Sequence, residues 1–270
     1  MSDIDKIFSG SIPALYESHL VPLIFEPYAA DLKQRVASMN ISRILEVAAG
    51  TGVVTRALAS IADERMAIVA TDLNQAMLDQ AAVVGTARPV QWQQADALAL
   101  PFSDGEFDAV VCQFGAMFFP DKAKAFSEAR RVLKPGGVFL FNVWDSIAEN
   151  EFADTIATAL AAVFPDDPPQ FLTRTPYGYH DHAIIAQDLA MAGFTRPPKI
   201  VTLAARSRAK SAREPAIAYC QGTPLRSEIE ARDASRLAEA TDKAATALAQ
   251  RFGPNAVDGK IQALVVTIEK

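Results

Sequence analysis

Residues 44–52 read ILEVAAGTG, an aliphatic run that meets a carboxylate, Glu46, and then falls into small residues with two glycines. The run has the composition of a buried strand, and AAGTG that of a turn into the helix-like segment Val53–Ile61. A carboxylate buried at a strand end is costly unless something donates hydrogen bonds to it. The stretch therefore predicts a donor facing Glu46, and backbone bare enough for a ligand to come close.

Outward from this stretch the chain alternates. β-rich runs fall at Arg43–Val47, Met66–Thr71, Val90–Gln93, Phe107–Cys112 and Gly137–Val143, separated by helical segments such as Gln75–Val84 and Lys122–Leu133. Such repetition predicts an α/β fold with a doubly wound, mostly parallel sheet, because parallel neighbours need crossover connections. Asp104-Gly105 marks a turn before the fourth strand, and Lys134-Pro135-Gly136-Gly137 is expected to stop a helix and turn the chain into the fifth. Ahead of the first strand, residues 12–39 carry apolar side chains at helical spacing broken by Pro22 and Pro27, which predicts two or three short helices.

After Trp144 the pattern changes. Helices are expected at Ala148–Phe164 and Asp181–Met191, and two more strands at Lys199–Ala204 and Lys260–Glu269. These complete a seven-stranded sheet with an antiparallel edge hairpin, and the Ala-, Arg- and Glu-rich segment between them is expected as a helical cap over the sheet. The division that results is a helical lid at 1–41, a core at 42–145, and a completion of the sheet with cap insertions at 146–270, within a single domain.

Half of the 270 residues are hydrophobic, enough for a full core. A net charge of −6 argues against a general nucleic-acid binder, and the cluster Arg206, Arg208, Lys210 and Arg213 reads as solvated surface. Cys112 and Cys220 are too few for a disulfide framework or a thiolate metal site. MSDIDKIFSG lacks the regions of an export signal, and no run approaches the ~18 apolar residues that span a bilayer. A soluble, cytoplasmic protein is expected.

In an open α/β sheet, ligands bind beyond the carboxyl ends of the strands, where Glu46 falls. Two further carboxylates fall at matching positions, Asp72 in AIVATDL and Asp96 in WQQADAL. Asp72 can there accept from both hydroxyls of a ribose, and Asp96 from an exocyclic adenine amine. A dinucleotide site wants G-x-G-x-x-G and a pyrophosphate on the helix N-terminus. Here Thr55 stands where the third glycine would, and Glu46 would repel a pyrophosphate. The constellation suits an adenosine that carries positive charge and no phosphate.

These residues, with VATDLNQAML, QQADALALPFSDGEFDAVVCQFGAMFFPD and ARRVLKPGGVFLFNVWD, resemble the class I S-adenosylmethionine-dependent methyltransferases, in the small-molecule branch that includes ubiquinone/menaquinone C-methylase-like proteins. The resemblance covers residues 42–145. It implies a Rossmann-like sheet, S-adenosylmethionine as cofactor with S-adenosylhomocysteine as product, and methyl transfer to an oxygen, nitrogen or carbon atom of a small-molecule acceptor. By the same resemblance, Ala48, Gly50 and Gly52 wall the methionine part of the cofactor, and Glu46 holds its amino group directly or through water. Asp72 would bind the ribose hydroxyls. Leu73 and Met77 would pack on the adenine, Asp96 would accept from its amine, and the backbone N–H of Ala97 would bind a ring nitrogen. Gln113 and Phe114 would face the methionine moiety and the methyl group. Leu73 and Met77 equally fit plain core positions, and Asp72 a helix N-cap.

A sulfonium methyl is already activated, so alignment and exclusion of water are the main tasks. A base is needed only where the acceptor must lose a proton. The candidates are His19, His180 and His182. The segment TPYGYHDH, residues 175–182, groups aromatic, imidazole and carboxylate side chains as functional loops do, yet Asp181 also fits the cap of the helix that follows. His180 and His182 lack a third ligand, so no metal site is expected. Tyr16, in IPALYESHLVPLIFEPYA, stands beside helix breaks as a lid residue would, and in the resembling enzymes an early tyrosine commonly lies near the methyl group. A helix packed on the sheet edge shows the same spacing. Tyr16 and His180 are the catalytic candidates, and Phe114, Phe118 and Phe119 suggest an apolar acceptor pocket. A cofactor-binding sensor or accessory subunit without transfer is the alternative, and homodimerisation is left open.

Overall fold

A computed structural model describes residues 8, 10–61 and 65–270; of the expected lid, residues 1–7 and 9 lie outside the described residues. The elements run α1 (Ile12–Leu15), a π-helical stretch (Tyr16–Phe25), α2 (Glu26–Ala37), β1 (Arg43–Val47), α3 (Val53–Ala59), β2 (Ala67–Asp72), α4 (Gln75–Val84), β3 (Gln91–Gln94), β4 (Phe107–Gln113), α5 (Lys122–Val132) and β5 (Leu133–Trp144). Then come α6 (Glu151–Val163), α7 (Phe171–Arg174), α8 (His182–Met191), β6 (Lys199–Ala209), α9 (Arg213–Gln221), α10 (Leu225–Asp233), α11 (Leu237–Phe252) and β7 (Val257–Glu269). No helix among the described residues is long and apolar enough to cross a membrane.

Two punctuation marks act differently from expectation. Pro22 lies inside the π-helical stretch and Pro27 in the first turn of α2, so neither breaks the helical path. A proline lacks the N–H and crowds the preceding turn; the wider π turn and the first turn of a helix are where that costs least. The second case is residues 134–137. The chain leaves α5 at Val132 and enters β5 at Leu133, opposite Phe107, with a register shift between Phe107 and Ala109. Gly136 has φ +74° there, and a Cβ on Gly137 would fall 2.9 Å from the Lys134 carbonyl oxygen. The glycines make a bulge within the strand rather than a turn before it.

The sheet order is β3-β2-β1-β4-β5-β7-β6. β1 pairs in parallel with β2 and β4, β2 with β3, and β4 with β5. Lys270 and Gly137 are joined by a backbone hydrogen bond, as are Asp145 and Gln262, so β7 runs against β5. The expected mostly parallel, doubly wound sheet with an antiparallel edge is what forms.

The chain makes two compact units. The sheet unit comprises Glu26–Val143, His180–Leu203 and Leu264–Lys270, and the helical unit Met1–Phe25, Trp144–Tyr179 and Ala204–Ala263. Within the sheet unit, Leu32, Val36, Val54 and Leu58 of α2 and α3 pack on Ile44, Ile68, Val111 and Leu140 of the strands. Side chains alternate along a strand, and on the opposite face Phe126 of α5 meets Phe139 and Phe141 at ring-centroid distances of 5.5 and 5.1 Å. Within the helical unit, Tyr16 stacks on Phe25, Phe25 neighbours Trp144, and Trp144 neighbours Tyr177, at 5.0, 6.1 and 5.9 Å.

Candidate active site

Strand alternation decides which side chains gather at the carboxyl ends of the sheet. Glu46 lies opposite Val111 of β4, and Gln113 opposite Asn142 of β5, so Glu46, Gln113 and Asn142 share the face covered by α2 and α3. Asp72 ends β2 on the same face, two residues beyond Ala70, the partner of Glu46. All four are buried.

The donor that Glu46 requires comes from the chain. Glu46 is 1% exposed, and the Thr55 hydroxyl donates to its Oε2 at 2.5 Å. Thr55 sits in the first turn of α3, which the AAGTG turn carries back over the strand end. Burial pushes the Glu46 carboxyl up to about 8, against the pull of the Thr55 bond and of Arg56, with nearby Asp72 adding to the rise. One hydroxyl therefore does not make up for the lost water.

Asp72 is bound differently. Its Oδ2 accepts from the Gly50 N–H and its Oδ1 from the Asn74 N–H, both at 2.8 Å. Burial raises its pKa and these backbone bonds oppose the rise. The N-cap of α4 is Asn74, so the N-cap reading of Asp72 fails by two residues. Asp72 instead pins the glycine turn to the end of β2.

That turn is strained. Ala48, Gly50 and Gly52 have φ of +55°, +58° and +85°, and Phe114, just past β4, has +52°. For a residue with a Cβ the left-handed region costs about 1–2 kcal/mol, and such outliers cluster at functional sites. Phe114 is kept there by bonds from its N–H to Asn142, at 3.0 Å to the side-chain Oδ1 and 3.1 Å to the carbonyl. A Cβ on Gly115 would lie 2.5 Å from the Ala48 Cβ, so the turns after β1 and β4 abut. Tyr28 of α2 meets the Phe114 ring edge-on at 5.2 Å.

Leu73 is 45% exposed, unlike the buried Met77. Asp96 is exposed and takes the Leu98 N–H on Oδ1 at 2.9 Å, while Ala97 is buried. Phe118 is half-buried; Phe119 is buried and lines a small apolar cavity with Val47, Leu100, Cys112 and Phe139. Burial pushes the Cys112 thiol up to about 12, so it is a neutral apolar group. Tyr16 lies in the helical unit between Phe25 and Phe8. His180 is half-buried in the sheet unit, beside Asp181, whose Oδ1 caps α8 through the Ala183 N–H at 2.7 Å. His19 pairs with the Ser18 hydroxyl at 2.7 Å, and His182 is exposed. Among the described residues no group of three or more His, Cys, Asp or Glu side chains could hold a metal ion.

Sequence reasoning passed over Thr55 and Asn142 as site residues. In the sequence Thr55 stands only where a third glycine is missing, although a strand-turn-helix unit brings the first helical turn over the strand end. Asn142 had a weaker signal, a lone amide in the apolar run FLFNVW.

The profile of a family described as "Methyltransferase domain" matches residues 45–141, the stretch that holds Glu46, Asp72, Asp96 and Gln113. Over these residues the chain is similar to that methyltransferase domain. It is 43% identical over 103 residues to the ubiquinone/menaquinone biosynthesis C-methyltransferase UbiE of Ectopseudomonas mendocina, covering 37% of this chain and 40% of that one. The match thus spans less than half of the relative's length. Among solved structures, the YcgJ protein of Bacillus subtilis matches with a TM-score of 0.58 at 18% identity, over 90% of this chain and 98% of that one. Phosphoethanolamine N-methyltransferase 2 of Haemonchus contortus, solved with phosphomonomethylethanolamine and S-adenosylhomocysteine, matches with a TM-score of 0.58 at 18% identity, over 96% of this chain and 57% of that one. At these identities the two structures share the fold.

Proposed function

We propose that the chain transfers the methyl group of S-adenosylmethionine to an oxygen, nitrogen or carbon atom of a small-molecule acceptor. The observation that carries this reading is the buried Glu46, held by Thr55 and set beside Asp72 at the ends of adjacent strands. A carboxylate oxygen accepts more than one hydrogen bond, so both side chains keep acceptor capacity after their internal bonds. That set fits an ammonium and a ribose diol, whereas ionised it would repel a pyrophosphate.

When bound, S-adenosylmethionine supplies a sulfonium methyl open to in-line displacement, so the chain has to bind, orient and exclude water. Glu46 would meet the ammonium and give up its proton as it does so, since an adjacent cation favours the charged form. Asp72 would accept from the ribose hydroxyls while the Gly50 N–H keeps its Oδ2 in place. Asp96 and the Ala97 N–H would read the adenine, Leu73 would cover it with its exposed side chain, and Gln113 and Phe114 would border the methyl. Tyr16 and His180 stay the candidates for taking a proton from an acceptor. A nucleic-acid partner is disfavoured further, because Arg206 and Arg208 both bond Asp258, at 2.7 and 3.0 Å, and Arg213 bonds Asp242 at 2.6 Å.

Calorimetric titration with S-adenosylmethionine, S-adenosylhomocysteine and NADH, in separate runs, tests the cofactor. Binding of the two adenosyl sulfur compounds alone is expected, and binding of NADH alone would overturn the reading. Release of S-adenosylhomocysteine in the presence of a panel of small acceptors then tests transfer.

A further inference from the structure

The loop between β3 and β4, residues 95–106, has no strand or helix of its own and leaves from the edge of the sheet. Loops of about this length are ordinarily the mobile, variable part of a fold. Here α5 stitches it down, above all through two side chains. All five guanidinium donors of Arg131, on α5, are used. Nη1 bonds the Phe102 carbonyl at 2.7 Å and Asp104 Oδ1 at 2.8 Å. Nη2 bonds the Leu100 carbonyl at 2.9 Å and Glu128 Oε2 at 2.8 Å, and Nε bonds Glu128 Oε1 at 2.9 Å.

Glu128, buried one turn earlier on α5, also takes the Leu100 N–H on Oε2 at 2.9 Å. The bond to Arg131 holds its carboxyl below the ordinary range, so it stays charged while it grips the loop. Leu100 is thereby fixed through both backbone groups, three residues after Ala97 and four after Asp96. Between them runs a tight turn, in which the Leu98 N–H bonds Asp96 Oδ1 at 2.9 Å and the Ala99 N–H bonds the Asp96 carbonyl at 3.0 Å. Asp96 is exposed, so no packing of its own holds its carboxylate. Its position is set from two sides, by the Ala95 N–H on the Asp72 carbonyl at 3.0 Å at the end of β3 and by the anchor at Leu100.

We propose that Arg131 and Glu128 are positioning residues for base selection: by clamping Leu100 and Phe102 they hold Asp96 and the Ala97 N–H where an adenine amine and ring nitrogen are read. The inference rests on the cofactor reading above. Bidentate guanidinium–carboxylate geometry is suited to the task, because its planar fork fixes direction as well as distance. A clamp that served stability alone would have no reason to alter how one base is told from another.

The test is calorimetric titration of the full chain, as wild type, Arg131→Met and Glu128→Gln, with S-adenosylhomocysteine and with S-inosylhomocysteine, which has a carbonyl in place of the adenine amine. Wild type is expected to prefer the adenosyl compound by at least tenfold. In Arg131→Met that preference should fall below threefold through weaker adenosyl binding, with inosyl affinity changed less than twofold. Glu128→Gln, which keeps an acceptor for the Leu100 N–H but loses the charge on Arg131, should lower the preference about threefold, and it decides the matter if Arg131→Met does not fold. Equal losses for both compounds, or a preference unchanged in the variants, would overturn the inference. A wild type that binds both compounds without preference would overturn it while leaving the cofactor reading intact, and one that binds neither would remove both.

Discussion

Two buried polar clusters, one in each unit, are held in opposite ways. In the helical unit the hydroxyls of Tyr177 and Tyr219 bond each other at 3.2 Å, and burial pushes Tyr219 up to about 12, far from any working pH. Asn150, fully buried, uses Oδ1 on the Gln262 N–H at 3.0 Å and Nδ2 on the Ser146 carbonyl at 3.0 Å. These groups satisfy one another. In the sheet unit Glu46 has one side-chain donor and a carboxyl pushed up to about 8, inside the working range, and Ala48 and Phe114 add left-handed backbone. Polar burial that the fold itself leaves costly clusters at functional sites.

The largest break in this contrast is Glu46→Gln. The folded carboxyl titrates near 8 and the unfolded one near 4.5, so between these values the folded state keeps a proton that the unfolded state has lost. The stability this confers is complete below pH 4.5 and is lost as pH rises through 8. The loss is on the order of 3–5 kcal/mol. Glutamine has no such titration, so denaturant unfolding at pH 5 and 8.5 should show the variant gaining on wild type at the higher pH, while its affinity for S-adenosylmethionine falls. Parallel pH profiles for the two proteins would mean that Glu46 is not isolated in the way its burial indicates.

Asp72→Ala comes next. It removes the acceptor of the Gly50 and Asn74 N–H groups together with the proposed ribose contact, and should weaken S-adenosylhomocysteine binding by about 1–3 kcal/mol, roughly fivefold to 150-fold. Tyr219→Phe in the helical unit deletes one neutral hydrogen bond, costs about 1 kcal/mol of stability, and should leave that affinity within twofold. Equal effects on binding would erase the distinction between the units.

Two glycines sharpen it at smaller scale. A Cβ on Gly259 would lie 2.6 Å from the buried Phe152 ring in the helical unit, and one on Gly52, with φ +85°, would lie 2.8 Å from Trp92 in the sheet unit. Alanine at either should cost about 1–3 kcal/mol by overpacking. Only Gly52→Ala should also weaken cofactor binding, since only there does the shifted backbone belong to the turn that Asp72 holds.

Much of this was legible in the chain. β1, α4 and the start of β4 fall where the pattern of apolar runs and turns puts them, because periodicity and punctuation act over a few residues. The carboxylates at strand ends were legible for the same reason. What was hidden depends on contacts across the sheet or on geometry that short-range pattern does not carry. Arg131 meets the Leu100 carbonyl from about thirty positions away, and Asn142 meets Phe114 only through the pairing of β4 with β5. Pro22 misled because a π turn tolerates what an α turn does not. The helical unit gave least warning, for the sequence offers TPYGYHDH as a functional loop or as a turn capped by Asp181, and its tyrosines pack as a core.

The finest test of the strain argument is Ala48→Gly. Removing the Cβ relieves about 1 kcal/mol at φ +55°, and the freer unfolded chain takes back about 0.5–1 kcal/mol. The net should be a stability within about 0.5 kcal/mol of wild type, read by denaturant unfolding. Ala48→Val, by contrast, adds β-branching where left-handed backbone tolerates it least and should lose stability clearly. The close approach of Gly115 makes the pair informative: a glycine at 48 leaves space beside the Ala48 Cβ position that a Cβ on residue 115 would otherwise contest at 2.5 Å. If Ala48→Gly loses more than about 1 kcal/mol, the methyl's packing against the turn after β4 outweighs the relief at φ. Ala48 would then belong with the self-satisfied groups of the helical unit, and the strain at this end of the sheet would rest on Phe114 and the buried carboxylates.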